Sequence, residues 1–137
     1  MIKVCEKALE CLRAHFGEAQ LSILMANAYN MLGTAYAMIN QYRAAVDYYD
    51  RALYVRNELQ MSNNYGTAEI LINRASMLKK LEEYDKCLEF EHKALDIARK
   101  FFDEKSPRLL VIFQSLASTY SKLQKSEKSI EFNYKVL

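Results

Sequence analysis

Tyr29 to Leu53 reads YNMLGTAYAMINQYRAAVDYYDRAL, and the fold follows from this stretch. Apolar residues stand three and four apart on either side of Asn40, the pattern of two amphipathic helices joined by a tight turn. The same features return forty-two positions on. Ile39 becomes Leu81 and then Leu123, Tyr42 becomes Tyr84, Val46 becomes Leu88 and then Ile130, and Leu53 becomes Leu95 and then Leu137. Small residues recur as well: Ala26 becomes Ala68, Ala52 becomes Ala94, and Gly33 becomes Ala75 and then Ala117. A helix position that stays almost without a side chain lets a neighbouring helix come close. At Gly33 that contact must recover the roughly 1 kcal/mol that glycine costs a helix relative to alanine.

Similarity at a fixed interval is the mark of a solenoid, in which each unit covers its apolar face by stacking on the next. The expected fold is therefore all-α, an antiparallel helical-hairpin solenoid of about seven helices. Composition agrees. The 137 residues are enough for one substantial core, and 51% hydrophobic with 26% charged residues is a globular balance. Three glycines and one proline are too few for a loop-rich chain.

The net charge of +2 argues against strong attraction to a polyanion. Between Lys105 and Leu137, Lys105, Arg108, Lys122, Lys125, Lys128 and Lys135 outnumber Glu127 and Glu131. No aromatic or Gly-rich pattern accompanies them, so a solvated helix surface is the plainer reading and no nucleic-acid partner is expected. Cys5, Cys11 and Cys87 form no close-spaced pair, and no run of eighteen apolar residues exists to cross a membrane. MIKVCEKALECLRAHF is a charged amphipathic pattern rather than a signal peptide. A cytoplasmic, reducing setting is the resulting expectation.

Taken in order, residues 2–16 form a preceding or capping helix with Val4, Ala8, Leu9, Leu12 and Phe16 on one stripe, ended by Gly17. The first repeat, 19–60, pairs a helix over 19–39 with one over 43–60. Leu21, Leu24, Met25, Ala28, Tyr29, Leu32, Ala35 and Tyr36 point inward from the first; Ala45, Val46, Tyr49, Ala52, Leu53 and Val55 do so from the second. Asn40 takes the turn, where asparagine tolerates a left-handed backbone. Ser62, Asn63 and Asn64 mark the break between units.

The second repeat, 66–102, holds helices over 66–81 and 85–102, burying Ala68, Leu71, Ala75, Leu78, Leu88, Ala94, Leu95 and Ala98. Ser106 and Pro107 then start a helix on two counts: a hydroxyl to cap free N–H groups, and a proline where no donor is needed. It runs to 123 with Leu110, Phe113, Leu116, Ala117 and Tyr120 inward, and Ser126 opens a last helix carrying Ile130, Val136 and Leu137. The third repeat, 107–137, is expected to be truncated, since Leu53 and Leu95 are both followed by further helical turns. Its apolar end suggests a longer chain or self-association through the terminal helices, with fraying of a short terminal helix as the plainer alternative.

Tyr29-x2-Leu32-Gly33-x2-Tyr36 followed by Ala45-x3-Tyr49-x2-Ala52 resembles the tetratricopeptide repeat pattern. The match is fullest over 26–53. Over 68–95 Arg74 replaces the leucine and Glu91 the aromatic; over 110–137 Ser129 and Asn133 take the alanine and aromatic places. The interval exceeds the usual thirty-four residues, a length similar to the repeats of kinesin light chains and of bacterial peptide-sensing regulators. The resemblance implies a right-handed superhelix whose first helices line a concave groove for a peptide or helix of a partner protein.

On that reading the groove is lined by Asn27, Asn30, Met31, Thr34 and Met38, by Glu69, Ile72, Asn73, Ser76 and Lys80, and by Gln114, Ser115, Ser118 and Lys122. Asparagine offers both donor and acceptor to an extended backbone. Asn73 stands where some members of the family hold a peptide's terminal carboxylate. The lysines of such a clamp are replaced by Asn30, Ile72 and Gln114, which disfavours that ligand. Contacts elsewhere remain the alternative: Tyr48, Tyr54, Tyr65 and Tyr134 are candidates for an outer interface, and an oligomerisation or regulatory segment would act through its open ends.

No chemistry is expected. Cys11 and His15 share a helical face, but two ligands make no metal site, and His92 is remote in sequence. Cys5 and Cys87 read as packing residues. Glu82, Glu83 and Asp85, like Asp103 and Glu104, sit at solvated turns. No phosphate-binding glycine loop, nucleophile elbow or dinucleotide motif is present. The chain is thus expected to be a non-catalytic scaffold that needs no cofactor.

Overall fold

The structure is a computed structural model that describes residues 2–4, 6–7, 10, 18–60 and 64–136. Its helices are α1 (Glu18–Met38), α2 (Tyr42–Glu58), α3 (Tyr65–Lys80), α4 (Tyr84–Arg99), α5 (Pro107–Lys122) and α6 (Ser126–Val136), and residues 2–4, 6–7 and 10 are also helical. The expectations for Cys5, Ala8, Leu9, Cys11, Leu12, His15, Phe16, Gly17, Ser62, Asn63, Leu137 and the side chain of Leu21 lie outside the described residues. Val4, expected on an apolar stripe, is exposed. The chain forms two compact units, Met1–Asn63 with α1 and α2, and Asn64–Leu137 with α3 to α6.

In the first unit α1 and α2 form an antiparallel hairpin around Ala26, Ala28, Tyr29, Leu32, Ala35, Ala45, Val46, Tyr49 and Ala52. At Gly33 the two helices come close. A Cβ there would lie 2.7 Å from Cε1 and 2.8 Å from Cδ1 of Tyr49, so the ring occupies the space that a side chain would need. The Tyr49 hydroxyl meets Thr34 Oγ1 at 3.1 Å. Tyr48 stacks on Tyr36 at 5.2 Å and carries the Arg51 guanidinium on its ring at 4.9 Å. Leu24, expected inside, is 39% exposed. α1 runs 21 residues against 17 in α2, so its first turns have less of α2 beside them.

In the second unit α3 pairs with α4, α4 with α5, and α5 with α6. Because α4 has a helix on each flank, its buried face is wider than one hairpin requires. Cys87, Glu91 and Ile97 are buried along with the expected Ala94, Leu95 and Ala98, while Leu88 is half-buried. Leu109, Ile112, Phe113, Leu116, Ala117 and Phe132 form a core with Leu95 and Ala98. Tyr120 stacks on Phe132 at 5.7 Å and 5°, the counterpart of Tyr36 on Tyr48 in the first unit. Ile130, the repeat counterpart of Val46, is 61% exposed. α6 faces α5 through Phe132 and through Ser129, whose hydroxyl donates to the Ala117 carbonyl at 3.0 Å. That orientation turns Ile130 outward, and no following hairpin covers it among the described residues.

The turns repeat in atomic detail. Asn40, Glu82 and Gln124 all have φ between 61° and 63°. After each, the next N–H reaches back five residues, from Gln41 to Tyr36, Glu83 to Leu78 and Lys125 to Tyr120, at 2.9 Å in every case. This is a Schellman closure that satisfies the last carbonyls of the first helix and reverses the chain. Helix starts follow local chemistry: Asn64 Oδ1 accepts from the Gly66 N–H at 2.8 Å, and Ser106 Oγ from that of Arg108, with Pro107 opening α5.

Candidate functional site

α3 and α5 touch sparingly, and between their first halves lies a cleft of about 520 Å3. Tyr65, Ala68, Glu69, Ile72 and Asn73 line it from α3; Pro107, Arg108, Val111 and Ile112 line it from α5. Adding the repeat interval to Tyr65 and Glu69 gives Pro107 and Val111, so equivalent stripes of two first helices make the walls. Tyr65 meets Phe102 edge-on at 4.9 Å, and the Arg108 guanidinium lies 4.7 Å from the Tyr65 ring and 5.1 Å from that of Phe102. Tyr65, Phe102 and Ile72 also pack on the core, which holds one end of the cleft in shape. The walls are apolar, with Glu69, Asn73 and Arg108 as the groups that can orient a ligand.

Of the residues read from the sequence as groove-lining, Glu69, Ile72 and Asn73 meet here. Lys80, Gln114, Ser118 and Lys122 are exposed on the same two helices. Ser76 is half-buried and donates to its own helix at Ile72 O, 3.1 Å away. In the first unit Asn27, Met31, Thr34 and Met38 lie exposed along α1, with Asn30 half-buried among them. The Asn30 side-chain oxygen is buried without a hydrogen-bond partner among the described residues, an unmet acceptor on that face.

Ser115 belongs elsewhere. Its hydroxyl donates to Glu91 Oε2, while Thr119 Oγ1 lies 2.6 Å and Cys87 Sγ 3.1 Å from Glu91 Oε1. Lys79 Nζ stands 3.7 Å from Glu91 Oε2 and donates to Ser115 O at 3.0 Å. Glu91 is fully buried, and this cluster ties α3, α4 and α5 together. A buried carboxylate is tolerated only when so satisfied, and removing a partner from such a pair costs about 3–5 kcal/mol where both charges are dry. Lys79 is partly solvated, so its loss costs less. Burial, then the Glu91 charge, pushes the Cys87 thiol up to about 12, so it stays protonated at neutral pH. Lastly, Arg74, at the leucine place, lies 4.1 Å from the Phe90 ring centre.

Sequence reasoning missed Arg108, Val111 and Ile112, although adding the repeat interval to Glu69 would have reached Val111. Of the four tyrosines considered for an outer face, Tyr54 and Tyr134 are exposed, Tyr48 is held in the ring stack, and Tyr65 lines the cleft. His92 is structural, its Nε2 2.8 Å from the Tyr120 hydroxyl. Among the described residues no three His, Cys, Asp or Glu side chains gather as a metal site, and no helix is long and apolar enough to cross a membrane.

Paired antiparallel helices, a small residue at each first-helix crossing and a cleft between first helices define a helical-repeat interaction module. The tetratricopeptide repeat family matches residues 66–137 and, separately, residues 25–59, and the chain belongs to it. Such folds generally serve protein–protein interaction. Among solved structures it is similar to BtubC (BKLC) from P. vanneervenii, at 18% identity and a TM-score of 0.90, over 98% of this chain and 52% of that one. It is also similar to MamA, at 23% identity and 0.67, over 97% of this chain and 62% of that one. The N-terminal domain of stress-induced protein-1 (STI-1) from C. elegans aligns at 18% identity and 0.69, over 85% and 84% of the two chains. The chain therefore spans about half of BtubC and under two thirds of MamA. No curated protein sequence matches it.

Proposed function

We propose that this chain is a docking module that holds a short segment of a partner protein in the cleft between α3 and α5. One observation carries the reading: two successive first helices leave an apolar cleft of about 520 Å3, edged by Glu69, Asn73 and Arg108. That volume suits a few buried side chains of an extended or helical peptide. Tyr65, Ile72, Val111 and Ile112 supply the apolar contact, and Asn73 is placed to bond a peptide backbone. The forty-two-residue interval supports placing the repeats with the longer variety known from kinesin light chains and bacterial peptide-sensing regulators. A free Cys87 thiol accords with a cytoplasmic setting.

The second reading is assembly through α6, favoured by Ile130 at 61% and Tyr134 at 76% exposure. Peptides selected from a displayed library against the whole chain separate the two. Val111 is 56% exposed, so Val111→Asp places a charge in the cleft at little cost to the fold. Loss of peptide binding in Val111→Asp with retention in Ile130→Glu supports the cleft; the reverse pattern overturns it.

A further inference from the structure

We propose that Lys79, Glu91 and Ser115 form a latch that sets the separation of α3 and α5, and hence the width of the cleft at the other end of the same two helices. Its consequence for ligand affinity rests on the docking reading above; the spacing itself does not. The cleft occupies the first halves of both helices, residues 65–73 and 107–112, and there the walls stand apart. A direct polar link between the two helices lies further along, where Lys79 Nζ of α3 donates to Ser115 O at 3.0 Å and Ser115 Oγ at 3.2 Å on α5. Glu91 of α4 stands behind that link. One of its oxygens takes the Ser115 hydroxyl and faces Lys79 at 3.7 Å, and the other takes Thr119.

A carboxylate is an odd choice for this place. In the first unit the equivalent residue is Tyr49, whose ring lies on the bare backbone of Gly33. Ala75 stands where Gly33 does, and its methyl would collide with a ring so placed. The second repeat instead carries a slimmer group whose oxygens reach sideways to α3 and α5. A buried ionic group fixes geometry better than it adds stability, because its hydrogen bonds are satisfied in one arrangement only. Apolar packing alone would let α3 and α5 slide. With the latch, two parallel helices are pinned by hydrogen bonds at one end and stand apart by a set amount at the other, where Arg108 lies on the Tyr65 ring.

Paired spin labels test this in the full chain, with Cys5 and Cys11 replaced by serine and the buried Cys87 thiol left unlabelled. Glu69→Cys with Val111→Cys reports the cleft; Glu69→Cys with Asp96→Cys reports the α3–α4 hairpin as control. Lys79→Met or Glu91→Gln is expected to broaden or shift the cleft distance and leave the control unchanged. A peptide selected on the unlabelled protein should bind more weakly, by a factor on the order of five or more. Unchanged cleft distances in every folded variant overturn the latch, and so does an equal change in both pairs, which is general loosening. If Glu91→Gln does not fold, Lys79→Met at its partly exposed site decides the matter alone. A shifted cleft distance with unaltered peptide affinity upholds the latch and counts against the docking reading.

Discussion

Replacing Gly33 by alanine sets two opposing effects against each other. Alanine is worth about 1 kcal/mol more than glycine inside a helix, so on propensity alone the change stabilises. The new methyl, however, meets Tyr49 Cε1 at 2.7 Å, Cδ1 at 2.8 Å and Cζ at 3.0 Å, where relaxed carbon contacts lie at roughly 3.5–4 Å. The ring cannot swing aside: Tyr49 is buried and its hydroxyl is tied to Thr34. Overpacking of this kind costs about 1–3 kcal/mol. The expected net result is a loss of about 0–2 kcal/mol, read as a lower urea midpoint by circular dichroism. In a Tyr49→Leu background the ring is gone, and Gly33→Ala should then stabilise by about 0.5–1 kcal/mol. A gain for Gly33→Ala in the native background, or equal effects in both backgrounds, would refute the claim that ring and bare backbone are matched.

Three other consequences are open to measurement. Glu82→Gly and Gln124→Gly relieve a left-handed backbone and should each stabilise by up to about 1 kcal/mol in chemical denaturation. Asn40→Gly should gain less, because asparagine accepts this conformation and Asn40 Oδ1 takes the Tyr42 hydroxyl at 3.0 Å. Asn64→Ala removes the α3 cap and should cost about 1 kcal/mol. At pH 8 Cys87 alkylation should track global unfolding, as its thiol is buried and protonated. Since its folded value is raised from 9.0 to about 12, folding favours the thiol over the thiolate. That contribution is full below pH 9 and disappears as pH rises toward about 12. Wild type should therefore lose more stability than Cys87→Ala over that window.

The repeat was readable because burial imposed the same residue classes at Ile39, Leu81 and Leu123, and at Gly33, Ala75 and Ala117. The left-handed turns at Glu82 and Gln124 were less plain, since neither residue prefers that conformation; only their spacing from Asn40 gives them away. Glu91 escaped recognition as a core residue because an acidic side chain reads as surface. Its burial depends on Lys79, Ser115 and Thr119, which come from two other helices. Half of the cleft was legible for a similar reason: polar Glu69 and Asn73 stand out on a first helix, whereas Val111 and Ile112 look like any core pair. Leu24 was misjudged because periodicity gives a helix its apolar face but not how far a neighbour extends along it.

Docking in the α3–α5 cleft is tested most directly by backbone amide shifts of the isotopically labelled chain as a selected peptide is added. Saturable changes centred on Ile72, Asn73, Val111 and Ile112 are the predicted result. Changes confined to α6 around Ile130 and Tyr134, with those four residues unmoved, would contradict it.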